Sequence, residues 1–208
     1  MKINAVITAK RLKTPENNYY NISALISAIP IGVGIISGCI VYLLFGEIIK
    51  GELWNFFIRF TIEFTGKTKV EILTGLLLSN VPYLVLMYLF GTNLRGTYLA
   101  FALSFFKSFG LGLISTYIYC AYSLKGIEYC LLIFFPGKVI QIFSMLLLTE
   151  NCHNMSLNLS NVVKEKNDSH IDLMRYELRN IFISALFTLS CIVDFIMIIC
   201  FSTLFEFV

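Results

Sequence analysis

The sequence predicts an all-α, polytopic integral membrane protein with about five transmembrane helices and one interfacial amphipathic helix. Of its 208 residues, 57% are hydrophobic and only 14% are charged, against roughly 45–50% and 25% in soluble domains. The mean hydropathy is +0.78. The hydrophobic residues also form long blocks instead of the short alternations that a water-facing surface needs. Because lipid leaves no backbone polar group solvated, continuous blocks of this length indicate helices.

Five hydrophobic blocks are long enough to cross a bilayer, which takes about 20 helical residues. They follow a basic cytoplasmic tail, residues 1–21, and make residues 22–208 a single membrane domain. The first block is too long for a typical signal peptide and has no small-residue cleavage site behind it, so we expect a retained helix. The predicted helices cover about 22–45, 72–90, 97–122, 127–148 and 181–205.

The fourth predicted helix contains Pro136 followed by Gly137. Proline lacks a backbone N–H and clashes with the preceding turn, so we expect a kink or an unwound turn there. A re-entrant element is the alternative. The helix is followed by a polar connection over about 150–180, with a middle expected to be mobile and a helical end.

Lysine and arginine are distributed unequally over the predicted connections. Nine lie in the N-terminal tail, the turn around Arg95 and the 150–180 connection, against five in the first loop and the turn at Lys125. The excess marks the cytoplasmic side, so we predict a multi-pass protein of the plasma membrane with a cytoplasmic N-terminus. The small net charge of +3 gives no reason to expect nucleic acid as a partner.

Polar residues recur at helical spacing within residues 47–64, and aromatic and aliphatic residues cover the remaining surface. This pattern is typical of a helix lying in the membrane interface, anchored here by the single tryptophan. Trp54, Phe57 and Arg59 form a candidate docking face for a partner on the outer side. A simple interfacial connector is the alternative interpretation.

Small residues recur at every fourth position of the third predicted helix, which lets helix backbones approach closely in lipid. A step of four overshoots the helical repeat by about 40°, so the ridge winds round the helix and meets different neighbours at its two ends. Packing within the chain is the favoured interpretation, and a homo-oligomer is the alternative. The candidate packing residues are Gly34 and Gly38 on the first helix and Gly96, Ala100, Ser104, Ser108, Gly112, Thr116 and Cys120 on the third.

Three ionisable residues, Lys107, Lys138 and Asp194, lie deep in the third, fourth and fifth predicted helices, where a charge is costly. At 1.5 Å per residue they are about 17–21 Å from the cytoplasmic helix ends. Asp194 can neutralise one lysine and leave the other to carbonyl groups, another partner or the interface. We interpret the cluster as a structural pair that holds three helices in register. A proton or ion relay is the alternative.

The residues predict no catalytic site, cofactor or metal. Ser104 and Lys107 match the S-x-x-K spacing of serine acyl enzymes, but small-residue packing explains the serine better. His153 and His170 lack the ligand spacing of a zinc site. Five of the six cysteines lie in hydrophobic blocks, where a thiol behaves as a small hydrophobic group.

The stretch from Asn80 to Leu148 resembles the stage II sporulation protein M family, small bacterial membrane proteins with five helices. Ser108 stands where the family has glycine, Gly137-Lys138 replace a His or amide residue after the proline, and Phe143 replaces a second proline. The residues that carry the resemblance are Asn80, Phe90-Gly91, Gly96, Lys107-Ser-Phe-Gly-Leu-Gly112 and Phe135-Pro136-Gly137.

The resemblance implies a non-catalytic membrane scaffold that acts in the engulfment stage of endospore formation. It implies that the scaffold recruits two peptidoglycan-degrading partners, similar to sporulation proteins D and P, to the septum. Membrane lipids are the other expected partners. A small transporter or permease accessory subunit that uses the intramembrane charges is the alternative function, and an intramembrane enzyme is a third.

Overall fold

The computed structural model describes residues 16–53, 68–165 and 173–201 of the chain. The described residues are helical apart from short turns and include no strand, so the prediction of an all-α protein is confirmed. A π-helical segment separates the third helix from the fourth. The elements are α1 (Glu16–Leu53), α2 (Lys69–Gly91), α3 (Gly96–Tyr129), the π-helical segment (Cys130–Phe134), α4 (Phe135–Glu165) and α5 (Leu173–Phe201).

Four helical runs among the described residues are long and hydrophobic enough to cross a membrane. The sequence predicts five, and the difference comes from one run of 68 residues, Gly96–Val163, in which α3, the π-helical segment and α4 follow without a break. A straight helix of that length would measure about 100 Å, far more than the roughly 30 Å of a hydrocarbon core.

This long run folds back on itself. Ser104 Oγ on α3 lies 2.6 Å from Thr149 Oγ1 on α4, and the backbone N–H of Thr97 donates to Ser156 Oγ at 3.2 Å. Both pairs are symmetric about the Gly126–Ile127 peptide, so the two halves run antiparallel. The reversal begins at Ser123, the non-glycine residue with a positive φ in the described chain (φ 49°, ψ −123°).

Ser123 has the backbone angles of the first central position of a type II′ turn, which favours glycine. We expect Ser123→Gly to raise the free energy of unfolding by about 1 kcal/mol, because the serine Cβ is strained in this region. The matched control, Ser115→Gly in the regular part of α3, should lower it by roughly 0.5–1 kcal/mol. Both changes are measured from unfolding midpoints in detergent. Two variants that shift in the same direction would contradict the strained turn.

The first helix is longer than predicted. It continues through Leu53, so residues 47–53 prolong α1 and do not begin a separate interfacial helix. Gly46 and Gly51 do not end the helix, because a glycine costs it only about 1 kcal/mol. The remainder of the predicted interfacial helix, with Trp54, Phe57 and Arg59, and residues 1–15 of the predicted tail lie outside the described residues.

The fourth helix does not end near residue 148 as predicted but continues to Glu165, and α5 already begins at Leu173. The prediction of a polar connection is therefore wrong for residues 150–165, which continue α4. Its predicted helical end, leading directly into the last helix, is confirmed from Leu173 onwards, while residues 166–172 lie outside the described part. This part of α4 accommodates polar side chains because they form hydrogen bonds with neighbouring parts of the chain. Asn151 Nδ2 donates to Asn180 Oδ1 at 3.1 Å, and Ser156 Oγ donates to the carbonyl of Asn93 at 2.9 Å.

The chain stays helical through Pro136 and Gly137 instead of unwinding. The helix is irregular just before the proline, in the π-helical segment. There the N–H of Phe135 donates to the carbonyl of Cys130. Pro136 then occupies the first turn of α4, where a missing N–H is tolerated.

Two hydrophobic clusters fill the bundle, and between them lies a polar layer formed by Asn80, Lys107, Lys138, Gln141 and Asp194. On α2, Asn80 lies between Ile72 of the first cluster and Tyr83 of the second. The same order holds for the charged residues of α3, α4 and α5. The first cluster contains Tyr42, Ile72, Leu113, Tyr117, Ile118, Tyr129, Ile133 and Ile198; the second contains Ile31, Tyr83, Met87, Ala100, Met145, Leu148, Cys152, Ile183 and Phe187.

Small residues bring α1 and α3 into close contact. A Cβ on Gly34 would lie 2.6 Å from the carbonyl oxygen of Phe105. One on Gly38 would meet the carbonyl oxygen of Phe109 and lie 3.0 Å from the nitrogen of Leu113. The backbones of α1 and α3 therefore touch along a glycine seam that no larger residue fits.

The predicted ridge of α3 faces several neighbours in turn. Gly112 packs against the backbone of Ile35 on α1, Ser104 contacts α2 and α4, and Gly96 packs on the Phe90 carbonyl at the end of α2. The ridge leaves the interior towards its C-terminal end. Gly96, Ala100, Ser104, Ser108 and Gly112 are buried, Thr116 is half-buried and Cys120 is exposed.

Candidate functional site

Two of the three predicted charges form an ion pair. Lys138 Nζ on α4 lies 2.8 Å from Asp194 Oδ2 on α5, and the two side chains are 17% and 7% exposed. Gly137 permits this approach, because a Cβ there would meet Asp194 Oδ1. Ser190 Oγ, one turn earlier on α5, donates to the Gly137 carbonyl at 3.0 Å. These contacts hold α4 against α5.

Lys107 on α3 binds α2 instead of Asp194. Its Nζ donates to Asn80 Oδ1 at 2.7 Å and to the Ser79 carbonyl at 3.3 Å. It also lies 5.5 Å from the centroid of the Tyr83 ring, within range of a cation–π interaction. Within the described part of the chain, the hydrogen-bond partners of Lys107 are therefore uncharged groups.

Asn80 joins four helices through one amide. Its Oδ1 accepts from Lys107 on α3 and from Gln141 Nε2 on α4, the latter at 2.8 Å. Its Nδ2 donates to the Leu76 carbonyl and to Cys191 Sγ on α5, each at 3.1 Å. In the sequence, Asn80 contributes only to the family resemblance, and Gln141 was not predicted as a site residue. The available signal was an amide three residues after Lys138, on the same face of its helix.

Two acceptors of the polar layer lack a donor. Gln141 Oε1 and Asp194 Oδ1 have no hydrogen-bond partner among the described residues. The two residues are only 3% and 5% exposed. A buried acceptor without a donor costs roughly 1–3 kcal/mol. The polar layer therefore contains two hydrogen-bond acceptors that no donor among the described residues satisfies.

A cavity of about 530 Å³ lies against the polar layer, among α2, α3, α4, α5 and the π-helical segment. Its volume is within the roughly 300–1,000 Å³ of small-molecule sites. Its rim includes two lipid-facing side chains, Leu78 and Phe106, which are 72% and 68% exposed. Most of its other lining residues are hydrophobic. The polar and charged side chains in its wall are Ser79, Asn80, Lys107, Tyr129, Lys138, Gln141 and Asp194.

A chain of hydroxyl groups lies beside this layer. Thr149 Oγ1 donates to the Met145 carbonyl at 2.7 Å, so its oxygen accepts from Ser104 at 2.6 Å, and Ser104 accepts from the hydroxyl of Tyr83 at 3.2 Å. Ser104 and Lys107, which share the S-x-x-K spacing, have separate hydrogen-bond partners, although both contact Tyr83.

The described residues contain no group of three or more His, Cys, Asp or Glu side chains that could hold a metal ion. The six cysteines lie in the described part and are free thiols. The candidate docking face of Trp54, Phe57 and Arg59 lies outside that part, so the polar layer and its cavity are the site that the structure defines.

The described residues are helical apart from short turns, and four of their helical runs are hydrophobic enough to span a membrane. These are the features of a helical membrane protein, with a polar layer inside its bundle. No family model, curated protein or solved structure matches it. The resemblance to the stage II sporulation protein M family therefore stays a prediction.

Proposed function

We propose that this chain is a non-catalytic scaffold of the plasma membrane that crosses the bilayer five times. The observation that carries the proposal is the polar layer. Lys138 binds Asp194, and Lys107 and Gln141 bind Asn80, so these side chains tie four helices together at one depth. Breaking buried pairs is costly, so the layer favours one fixed arrangement of helices, as a platform for partners requires.

The resemblance supplies the partners of the proposed scaffold. They are peptidoglycan-degrading enzymes similar to sporulation proteins D and P, recruited to the sporulation septum during engulfment. Support comes from the position of the residues that carry the resemblance. Asn80 and Lys107 lie on different helices and are hydrogen-bonded to each other in the polar layer.

Affinity capture of the tagged full-length protein from mildly solubilised membranes, followed by mass spectrometry, tests this proposal. We expect cell-wall hydrolases in proportion to the captured protein, and their loss from a Trp54→Ala, Arg59→Ala double variant. Tyr98→Ala, which truncates a side chain that is 79% exposed, serves as the matched control and should keep them. Recovery of an ATPase or permease subunit instead would contradict the scaffold.

Five crossings, with the N-terminus inside, place Asn93 in the cytoplasm and Lys125 outside. In a chain whose native cysteines are replaced by serine, we expect Lys125→Cys to react with a membrane-impermeant maleimide in intact cells. Asn93→Cys should react only after permeabilisation. The measurement is the fraction of protein labelled. Labelling of both positions from the same side would show that the run from Gly96 to Val163 does not cross twice.

A second candidate function is a small transporter or a permease accessory subunit. The cavity beside the charges favours it, because transporters bind substrates and coupling ions at polar groups inside the membrane domain, and Lys107, Lys138 and Asp194 lie in the cavity wall. The hydroxyl chain from Tyr83 to Thr149 adds a further set of hydrogen-bonding groups near Lys107. This candidate requires the charges for activity, whereas the scaffold requires them only for folding.

A further inference from the structure

We propose that the cavity binds the carboxylate of a long-chain fatty acid, which enters from the bilayer between α2 and α3. The inference goes beyond the scaffold function and does not depend on any protein partner.

The charges in the cavity wall do not balance. The cavity wall contains two ammonium groups, Lys107 and Lys138, and one carboxylate, Asp194. Asp194 is bound to Lys138, and among the described residues Lys107 bonds only to the Asn80 amide and the Ser79 carbonyl. One positive charge is thus left over in surroundings of low dielectric, where an uncompensated charge is costly. An anionic ligand would neutralise it.

The hydrogen-bonding capacity of Lys107 fits such a ligand. An ammonium group has three N–H donors, and the two bonds of Lys107 leave one for a further acceptor. Lys138 uses one donor for Asp194, which leaves two. A carboxylate placed between the two ammonium groups would receive charge-assisted hydrogen bonds, the stronger kind.

The walls select a hydrophobic tail. Away from the charges the cavity is lined mainly by hydrophobic side chains such as Leu111, Ile114, Ile133 and Ile198, which offer no hydrogen bond to a hydrophilic anion. Its exposed rim, with Leu78 and Phe106, belongs to the hydrophobic outer surface of the helices. A ligand already dissolved in the bilayer reaches this rim directly. A single acyl chain with a small head also suits a volume of about 530 Å³.

The test measures binding of tritiated oleate to the purified full-length protein in detergent. We expect saturable binding of one oleate per chain, with oleyl alcohol, which has the same tail and no charge, competing at least tenfold more weakly. Lys107→Met should lower the affinity at least tenfold, and Lys125→Met, at an exposed lysine beyond the reversal at Ser123, should leave it unchanged. Ile114→Phe, which fills the cavity but keeps every charge, should also lower the affinity.

Equal competition by oleyl alcohol, or native affinity in Lys107→Met, would overturn the proposal. Displacement of oleate by acetate or phosphate at equal concentration would assign the lysines to a free anion and overturn the lipid ligand. If Lys107→Met fails to fold, the acid–alcohol comparison on the native chain and the Ile114→Phe variant decide. Capture of cell-wall hydrolases has no bearing on any of these results, so this proposal and the scaffold fail separately.

Discussion

Replacing Asp194 with asparagine is expected to lower the free energy of unfolding by about 3–5 kcal/mol, the cost of leaving one member of a buried ion pair without its partner. Lys138 would keep its charge between α4 and α5, with a side chain that is only 17% exposed. The measurement is the unfolding midpoint of the purified protein in detergent. Glu128→Gln, an exposed carboxylate on α3, is the matched control and should change stability by no more than about 0.5 kcal/mol.

The double variant Lys138→Met, Asp194→Asn separates charge from packing. Removing both charges together is often neutral, because the cost of burying them disappears with their attraction. We therefore expect the double variant to recover most of the stability that Asp194→Asn loses. A double variant as unstable as the single one would show that hydrogen bonding or packing, and not the unpaired charge, sets the cost.

Alanine in place of Gly38 is the second change with a large expected effect. Its Cβ would meet the Phe109 carbonyl oxygen and lie 3.0 Å from the nitrogen of Leu113, both backbone atoms that cannot move without displacing α3. We expect a loss of roughly 1–3 kcal/mol from overpacking, measured by unfolding in detergent.

Gly32→Ala on the same helix is the control for the glycine seam. A Cβ at Gly32 meets nothing within 4 Å, and alanine is the better helix former by about 1 kcal/mol. This variant should therefore be at least as stable as the native chain. If Gly32→Ala and Gly38→Ala lose stability equally, glycine matters for helix bending and not for contact between α1 and α3.

Hydropathy located the helices because each hydrophobic block is about as long as a bilayer crossing requires, or longer. It failed at the end of α4, where Asn151 and Ser156 have the composition of a loop. Their side chains form hydrogen bonds with Asn180 and Asn93 on neighbouring elements. The hydropathy of one segment cannot reveal partners that lie elsewhere in the chain. The two helices predicted on either side of residues 122–127 correspond to the two antiparallel halves of the run from Gly96 to Val163, with the reversal at Ser123.

The charged cluster was predictable only in part. Counting residues from the helix ends placed Lys107, Lys138 and Asp194 at similar depths, but depth alone does not say which lysine reaches Asp194. The pairing depends on how each helix is rotated about its own axis. Because Gly137 has no side chain, Asp194 can approach α4 closely and form its ion pair with Lys138. Asn80 and Gln141 were missed as members of the layer because uncharged amides do not stand out in a hydropathy pattern.

We propose that the intramembrane charges hold the helices of the scaffold together and take no part in the recruitment of partners. The measurement that tests it is partner recovery by a folded triple variant, Lys107→Met, Lys138→Met and Asp194→Asn, captured from membranes beside the native chain. We expect the triple variant to unfold as a single cooperative unit and to recover the same hydrolases in the same proportion. A folded triple variant that retains its partners but loses transport of an ion or solute, or one that loses the partners themselves, would contradict the account.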